Sequence, residues 1–111
     1  MPLMKTAQRY NLVLVTVPDL KTARKLVKLA LEARLVACGN LVPSLESHYW
    51  WQGAITRSKE ALILFKTTAA TLDRLEKLIL ASHPYDTPEI VALPLTKGTA
   101  RYLSWIDDSI A

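Results

Sequence analysis

The chain has 111 residues, of which 50% are hydrophobic and 22% are charged, with a formal net charge of +4. This length fits a single domain, 1–111, and the composition can bury a core, which excludes a disordered chain. The charge is too mildly basic to indicate a dedicated nucleic-acid-binding protein. Cys38 is the one cysteine, so an internal disulfide is excluded and a reducing, cytoplasmic location is favoured.

The amino-terminal part of the chain predicts neither a signal peptide nor a membrane span. We expect residues 1–9 to be flexible. The apolar run 12–17 is stopped by Pro18 and Asp19, and it is shorter than the roughly 7–15 apolar residues of a signal peptide or the roughly 20 of a span. The same run, "NLVLVTV" over 11–17, predicts a strand buried on both faces.

A helix and a long strand follow in the first half of the chain. The pattern over 18–35 predicts a helix with Asp19 as its N-cap, and its predicted inward residues are Leu20, Ala23, Val27, Ala30 and Leu31. The stretch 35–51 predicts a strand in which Gly39 and Pro43 introduce bends or a bulge, and Pro43 argues against a central position. Residues 52–59 predict a turn around Gly53.

The second half repeats this order. Residues 60–67 predict another central strand, 68–83 a helix, 89–95 a short strand and 98–110 a final helix. The predicted inward residues of these two helices are Leu72, Leu75, Leu78, Ile79, Tyr102, Leu103, Ile106 and Ile110. The order predicts an α+β, ferredoxin-like split βαβ fold with an antiparallel sheet and a carboxy-terminal helix.

Two features of this fold predict an oligomer. Two helices on one face of the sheet leave the other face uncovered, and the strand 35–51 extends beyond what its partners can pair. The first helix also carries a basic side, for which two interpretations stay open: a solvated outer face, or a docking face for an acidic partner. Its residues are Lys21, Arg24, Lys25 and Lys28, and Arg34 belongs to the same basic segment of the sequence.

Five motifs in order resemble the CutA family of divalent-cation tolerance proteins. They are "ACGNLVP" (37–43), "SHYWWQG" (47–53), "EALILFKT" (60–67), "HPYDTPEI" (83–90) and "YLSWI" (102–106), and the resemblance covers about residues 10–108. The resemblance implies a homotrimer built by intersubunit sheet pairing and a link to copper and other divalent cations. It also implies an architecture similar to PII signalling proteins, which bind small ligands at trimer clefts.

His83 is the candidate metal ligand, since neutral imidazole is a common ligand for copper. Some family members have a proposed site made of a cysteine and two adjacent histidines, and these positions match Val15, Ser82 and His83 here. Only His83 can ligate strongly, so Cu²⁺ or another divalent cation would bind weakly or with groups from a neighbouring subunit. The alternative is that His83 is a structural histidine at the end of a helix or at an interface.

The candidate ligand-binding residues of an intersubunit cleft are Cys38, Asn40, Trp51, Lys66, Tyr85 and Glu89. Lys66 could pair with Glu89 or Glu60, and Lys66, Tyr85 and Glu89 are the expected polar cluster. Cys38 is expected to be a small buried residue. Trp50 and Trp51 face opposite sides of a strand, so we expect one in the core and one at a neighbouring subunit.

Catalysis is not expected, because the sequence has no nucleophile motif and no glycine-rich phosphate loop. An RNA-recognition domain needs alternating aromatics on its third strand, and only Phe65 is present there. The leading hypothesis is a non-enzymatic CutA-type trimer that binds a divalent cation weakly or a small anionic ligand. The alternative is a structural or signalling trimer that docks a partner protein without metal.

Overall fold

Residues 4–110, which the computed structural model describes, form six strands, three α-helices and one 3-10 helix. In chain order they are β1 (Lys5–Thr6), β2 (Tyr10–Val17), α1 (Leu20–Glu32), β3 (Cys38–Trp51), β4 (Ala54–Thr68), the 3-10 turn Ala69–Thr71, α2 (Leu72–Ser82), β5 (Ile90–Pro94), β6 (Lys97–Gly98) and α3 (Ala100–Ser109). The α+β class with antiparallel pairing is therefore confirmed. Every helix in this part of the chain is too short or too polar to cross a lipid bilayer.

The main sheet has four antiparallel strands in the order β3-β4-β2-β5. β2 pairs with β4 from Tyr10↔Thr68 to Val17↔Ala61, and its other edge pairs with β5. The two most apolar runs, predicted as central strands, therefore lie in the centre. β3 is an edge strand, and its register shifts between Val42 and Leu45, as expected from a proline at position 43.

The core lies on one face of this sheet, beneath α1 and α2. Alternate residues of β2 and β4 point into it, and Val15, Ile63 and Phe65 are fully buried there. The residues between them, such as Leu12 and Leu14, are only half-buried. The prediction that β2 is buried on both faces is wrong for one chain, because side chains alternate along a strand and only one face is covered.

Two predicted inward residues point elsewhere. In α1, Leu26 is buried and Leu31 is exposed, because the inward stripe follows Ala23, Leu26 and Ala30. In α3, Leu103 and Ile106 are buried in a second cluster, whereas Tyr102 is exposed. The other predicted inward residues of α2 and α3 are buried or pack against the two clusters.

A long hairpin replaces the predicted turn at 52–59. Only Gln52 and Gly53 form the turn, and their φ values of 49° and 79° are those of a two-residue hairpin turn. β4 therefore starts at Ala54 and pairs β3 as far as Trp51↔Ala54. The expectation that β3 outreaches its partner is wrong, and residues 45–60 form a two-stranded extension that we call the arm.

Residues 5–9 of the amino-terminal segment, which the sequence predicts to be flexible, contact β6 and α3 in the structure. β1 pairs with β6, and Ala7 is buried in the cluster beneath α3. The Arg9 guanidinium donates to the Asp107 carboxylate at 2.6 Å, and the Tyr10 hydroxyl donates to the same oxygen. These contacts fasten the segment to α3. The rest of the predicted flexible segment, 1–3, lies outside the described residues.

Candidate functional site

The face of the main sheet opposite α1 and α2 is largely apolar and is only partly covered by α3. Residues paired across strands share a face, so the register places Leu14 between Leu64 and Val91, and Leu12 beside Leu93. Val91 is 45% exposed and Leu93 is 43% exposed. We call this surface the open sheet face; its residues are Leu12, Leu14, Cys38, Asn40, Val42, Leu62, Leu64, Lys66, Val91 and Leu93.

Three predicted ligand-binding residues meet at one end of the open sheet face. Cys38 pairs with Lys66 across β3 and β4, and the Cys38 thiol donates to the Asn40 side-chain oxygen at 3.7 Å. The Lys66 ammonium lies 5.4 Å from the centre of the Tyr102 ring. Interaction with Tyr102 raises the pKa of Lys66, with a smaller contribution from Cys38. The site is thus a cation, a thiol and an amide beside an aromatic ring.

Cys38 differs from the small buried core residue that was expected. It is half-buried because it points to the open sheet face rather than towards the helices. Tyr102 belongs to this site and was missed, since it was counted as a core residue of α3. The sequence signal for Tyr102 is its spacing of three residues from Trp105, which places both side chains on the same side of a helix. In the structure the two rings lie 5.4 Å apart on the exposed side of α3.

His83 caps the carboxyl end of α2 and is 8% exposed. Its Nε2 lies 2.8 Å from the Thr16 carbonyl oxygen, which can only accept, so Nε2 carries the proton and donates. Its Nδ1 accepts the Tyr85 main-chain N–H at 3.1 Å. Both ring nitrogens are therefore engaged by the main chain, and the ring joins the end of α2 to the central strand β2.

Tyr85 contacts Glu60 rather than Lys66. The Tyr85 hydroxyl donates to the Glu60 carboxylate at 2.9 Å, and burial together with that carboxylate raises the pKa of Tyr85. Lys66 follows Glu60 in the same strand, β4, and lies about 20 Å from it at about 3.3 Å per residue. Glu89 is exposed just before β5. Within one chain the structure therefore does not bring Lys66, Tyr85 and Glu89 together.

Both tryptophans of the arm are exposed. Trp50 is 73% exposed and Trp51 is 56% exposed. The expectation that one of them enters the core of its own subunit is wrong, because the arm extends past the helices and no core lies beneath its tip. Trp51 is consequently remote from Cys38, at the opposite end of β3.

A metal site does not fit the residues of one chain over 4–110. No group of three or more His, Cys, Asp or Glu side chains in that part is close enough to hold an ion. Val15 is fully buried among apolar residues. To ligate a metal, His83 would have to release either the Thr16 carbonyl or the Tyr85 amide.

Two surface cavities lie away from the predicted site residues. One has a volume of about 380 Å³ and lies between the amino-terminal segment and α3, beside Lys5, Arg9 and Ser104. The other, of about 190 Å³, lies between α2 and β5, beside Leu72 and Ile90. The residues that line these two cavities include none of the open sheet face.

These features define a small α+β protein built on an antiparallel sheet with one face covered by helices. The family model "CutA1 divalent ion tolerance protein" matches residues 11–109. The chain therefore belongs to the CutA1 family, which confirms the resemblance seen in its motifs.

Individual relatives agree with this assignment. The divalent-cation tolerance protein CutA of Thermus thermophilus is 45% identical over 89% of this chain and 96% of its own length. The chloroplastic protein CutA 1 of Oryza sativa subsp. japonica is 40% identical over 87% of this chain, which spans only 55% of that relative. The solved structure of the periplasmic divalent cation tolerance protein CutA from Archaeoglobus fulgidus superposes with a TM-score of 0.89 at 32% identity, covering 92% of this chain and 99% of that one.

Proposed function

We propose that this protein acts in divalent-cation tolerance as a non-enzymatic homotrimer of ferredoxin-like subunits, in which a divalent cation or a small ligand binds weakly between subunits. Membership of the CutA1 family supports the cation-tolerance role. The observation that carries the rest is the open sheet face, an apolar surface that ends in the polar group of Cys38, Asn40 and Lys66.

The exposed apolar area favours association. Burying apolar surface contributes about 25 cal/mol per Å², and a stable interface buries roughly 1,600 Å² in total. The open sheet face contributes apolar side chains to such an interface, and the arm adds Trp50, Trp51 and Ile55 beyond it. A contact that covers both surfaces would remove from water Trp50 and Ile55, the two most exposed large apolar side chains among residues 4–110.

Association would also assemble the ligand site. Cys38 of β3 pairs with Lys66 near one end of β4, whereas Tyr85 and the arm tip lie towards the other end, so only different subunits can place them together. Lys66 favours an anionic ligand, and the Cys38 thiol favours a soft cation such as copper. His83 can join a metal only by giving up a main-chain contact, so we assign it a structural role first.

Light scattering at micromolar protomer concentration tests the assembly. We expect a trimer for the wild type, and a smaller species for Leu64→Glu, which places a charge in the open sheet face. Leu80→Glu is the matched control, since Leu80 is exposed on α2, on the other side of the sheet. A monomeric wild type, or equal masses for the two variants, would contradict the proposal.

Calorimetric titration tests the ligand. Cu²⁺, with Zn²⁺ as a redox-inactive comparison, is titrated into the wild type, Cys38→Ser and His83→Gln; inorganic phosphate is titrated into the wild type and Lys66→Met. We expect Cys38→Ser to reduce the heat of Cu²⁺ binding and His83→Gln to leave it unchanged. Absence of heat with Cu²⁺ and with phosphate, from an intact trimer, would contradict ligand binding at this site.

A second candidate function follows from the same site. A trimer that docks a partner protein without metal is favoured by the engagement of both His83 nitrogens. For location we propose the cytoplasm, on the basis of the single cysteine. Since one structural relative is called periplasmic, cell fractionation is the measurement that decides this, and recovery in the periplasm would contradict the proposal.

A further inference from the structure

The outer side of α1 carries four cations that no part of the proposed ligand site uses. They are exposed, and none has an ion-pair partner among residues 4–110, where the ion pairs are Arg9–Asp107 and His48–Glu46. The first twelve residues of α1 contain no acidic residue, and Glu32 ends the helix. We call this surface the basic face; its residues are Lys21, Arg24, Lys25 and Lys28.

We propose that the basic face is a docking surface for an acidic helical segment of a partner protein. Lys21 and Lys25 are one helical turn apart, as are Arg24 and Lys28, so their side chains form rows with about 5–6 Å between neighbouring Cβ atoms. A partner helix with glutamates at i, i+4 and i+7 has the same spacing. The two helices can therefore match charge to charge along about 10 Å of axis, at 1.5 Å per residue.

The position of α1 leaves this face available. Ala23, Leu26 and Ala30 point to the sheet, so the basic face points away from it. The open sheet face lies on the other side of the same sheet, and association through that side does not cover α1. Arg34 is not part of the basic face, since its guanidinium donates to the Ser109 carbonyl at 3.3 Å.

Two other anionic partners fit less well. Single-stranded nucleic acid is held by stacking of bases on aromatic side chains, and α1 contains no aromatic residue. A helix that binds a membrane surface buries an apolar side in the lipid, whereas the apolar side of α1 is already in the core. An acidic helix needs neither feature.

Fluorescence anisotropy with a labelled helical peptide, carrying glutamates at i, i+4 and i+7, tests the proposal on the full chain. We expect Lys25→Glu with Lys28→Glu to weaken binding about tenfold at low salt, because reversal replaces attraction by repulsion at two positions. The matched control, Arg74→Glu with Lys77→Glu on α2, makes the same change in net charge at exposed positions. We expect it to change binding by less than about twofold, because Asp73 and Glu76 already interrupt that surface.

Equal weakening by the two double variants would overturn the proposal, because net charge alone would then explain binding. Failure of the wild type to bind the peptide would also overturn it. The third contrary result is tighter binding of single-stranded RNA or of anionic vesicles that is lost in the α1 variant. All four exchanged positions are exposed, and circular dichroism verifies that each variant is folded.

Discussion

Replacing His83 by alanine removes two main-chain contacts at the corner between α2 and β5. The Thr16 carbonyl loses its donor and the Tyr85 amide loses its acceptor. A net hydrogen bond contributes about 0.5–1.5 kcal/mol, and a buried polar group left unpaired costs about 1–3 kcal/mol. With the packing of the nearly buried ring lost as well, we expect the free energy of unfolding to fall by about 2–4 kcal/mol.

Two further variants divide this effect between the contacts. Glutamine can place its amide N–H near the position of Nε2, which preserves donation to Thr16. Asparagine can place its oxygen near Nδ1, which preserves acceptance from Tyr85. We expect each to lower the free energy of unfolding by about 1 kcal/mol. The assay is urea denaturation followed by circular dichroism at one protomer concentration, because association changes apparent stability.

The result that would refute this reasoning is an alanine variant within about 0.5 kcal/mol of the wild type, since a residue that holds two elements together cannot be neutral. Copper supplies an independent check. A ligand at a hundred times its dissociation constant stabilises the folded protein by about 2.7 kcal/mol. We expect copper to stabilise the wild type and His83→Gln equally, and a gain confined to the wild type would instead identify His83 as a ligand.

Three other substitutions test the fold. Gly53→Ala should lower the free energy of unfolding by about 1 kcal/mol in urea denaturation, because φ is 79° there; an unchanged midpoint would argue against this turn. Gly39→Ala should destabilise by about 1–3 kcal/mol, because its Cβ would lie 2.9 Å from Val27 Cγ2, and adding Val27→Ala should recover part of the loss; a double variant less stable than both single variants would contradict the close contact. Hydrogen bonds from Tyr10 and Arg9 lower the pKa of Asp107 below its ordinary value of 3.8, so their stabilisation is present above that pH and is lost as the pH falls through the lower value. Asp107→Asn should therefore lower the free energy of unfolding near pH 7 and make it fall less steeply as the pH is lowered. If the wild type and the variant lose stability in parallel on acidification, Asp107 makes no such contribution.

The central strands and the inward stripe of α2 were predictable because their signals are local. Continuous apolar runs at 11–17 and 60–67 indicate buried strands, and the helical spacing of Leu75 and Ile79 indicates one buried side. The start of β4 was not predictable in the same way, because the polar residues between 52 and 59 are typical of a loop. The decisive signal is confined to Gln52 and Gly53, where a two-residue turn allows the flanking residues to pair.

The candidate site was harder to predict, because it depends on register and on which face of the sheet is covered. Sequence spacing cannot show that Cys38 lies opposite Lys66, nor that Tyr85 reaches Glu60 instead of Lys66. His83 illustrates the same limit. Its neighbours Pro84 and Pro88 predict the end of the helix, but only the fold shows that the Thr16 carbonyl lies within reach of the ring.

The arm has a consequence for how well the chain resists proteases. Beyond the base, where Tyr85 holds Glu60, its two strands pair only with each other, and the chain measures 51 Å along its longest axis against 26 and 22 Å across. Such a ribbon can open locally without global unfolding. Its amide protons should exchange with solvent before those of β2, and proteases should cleave first near Gln52, so the chain is most vulnerable at the hairpin tip.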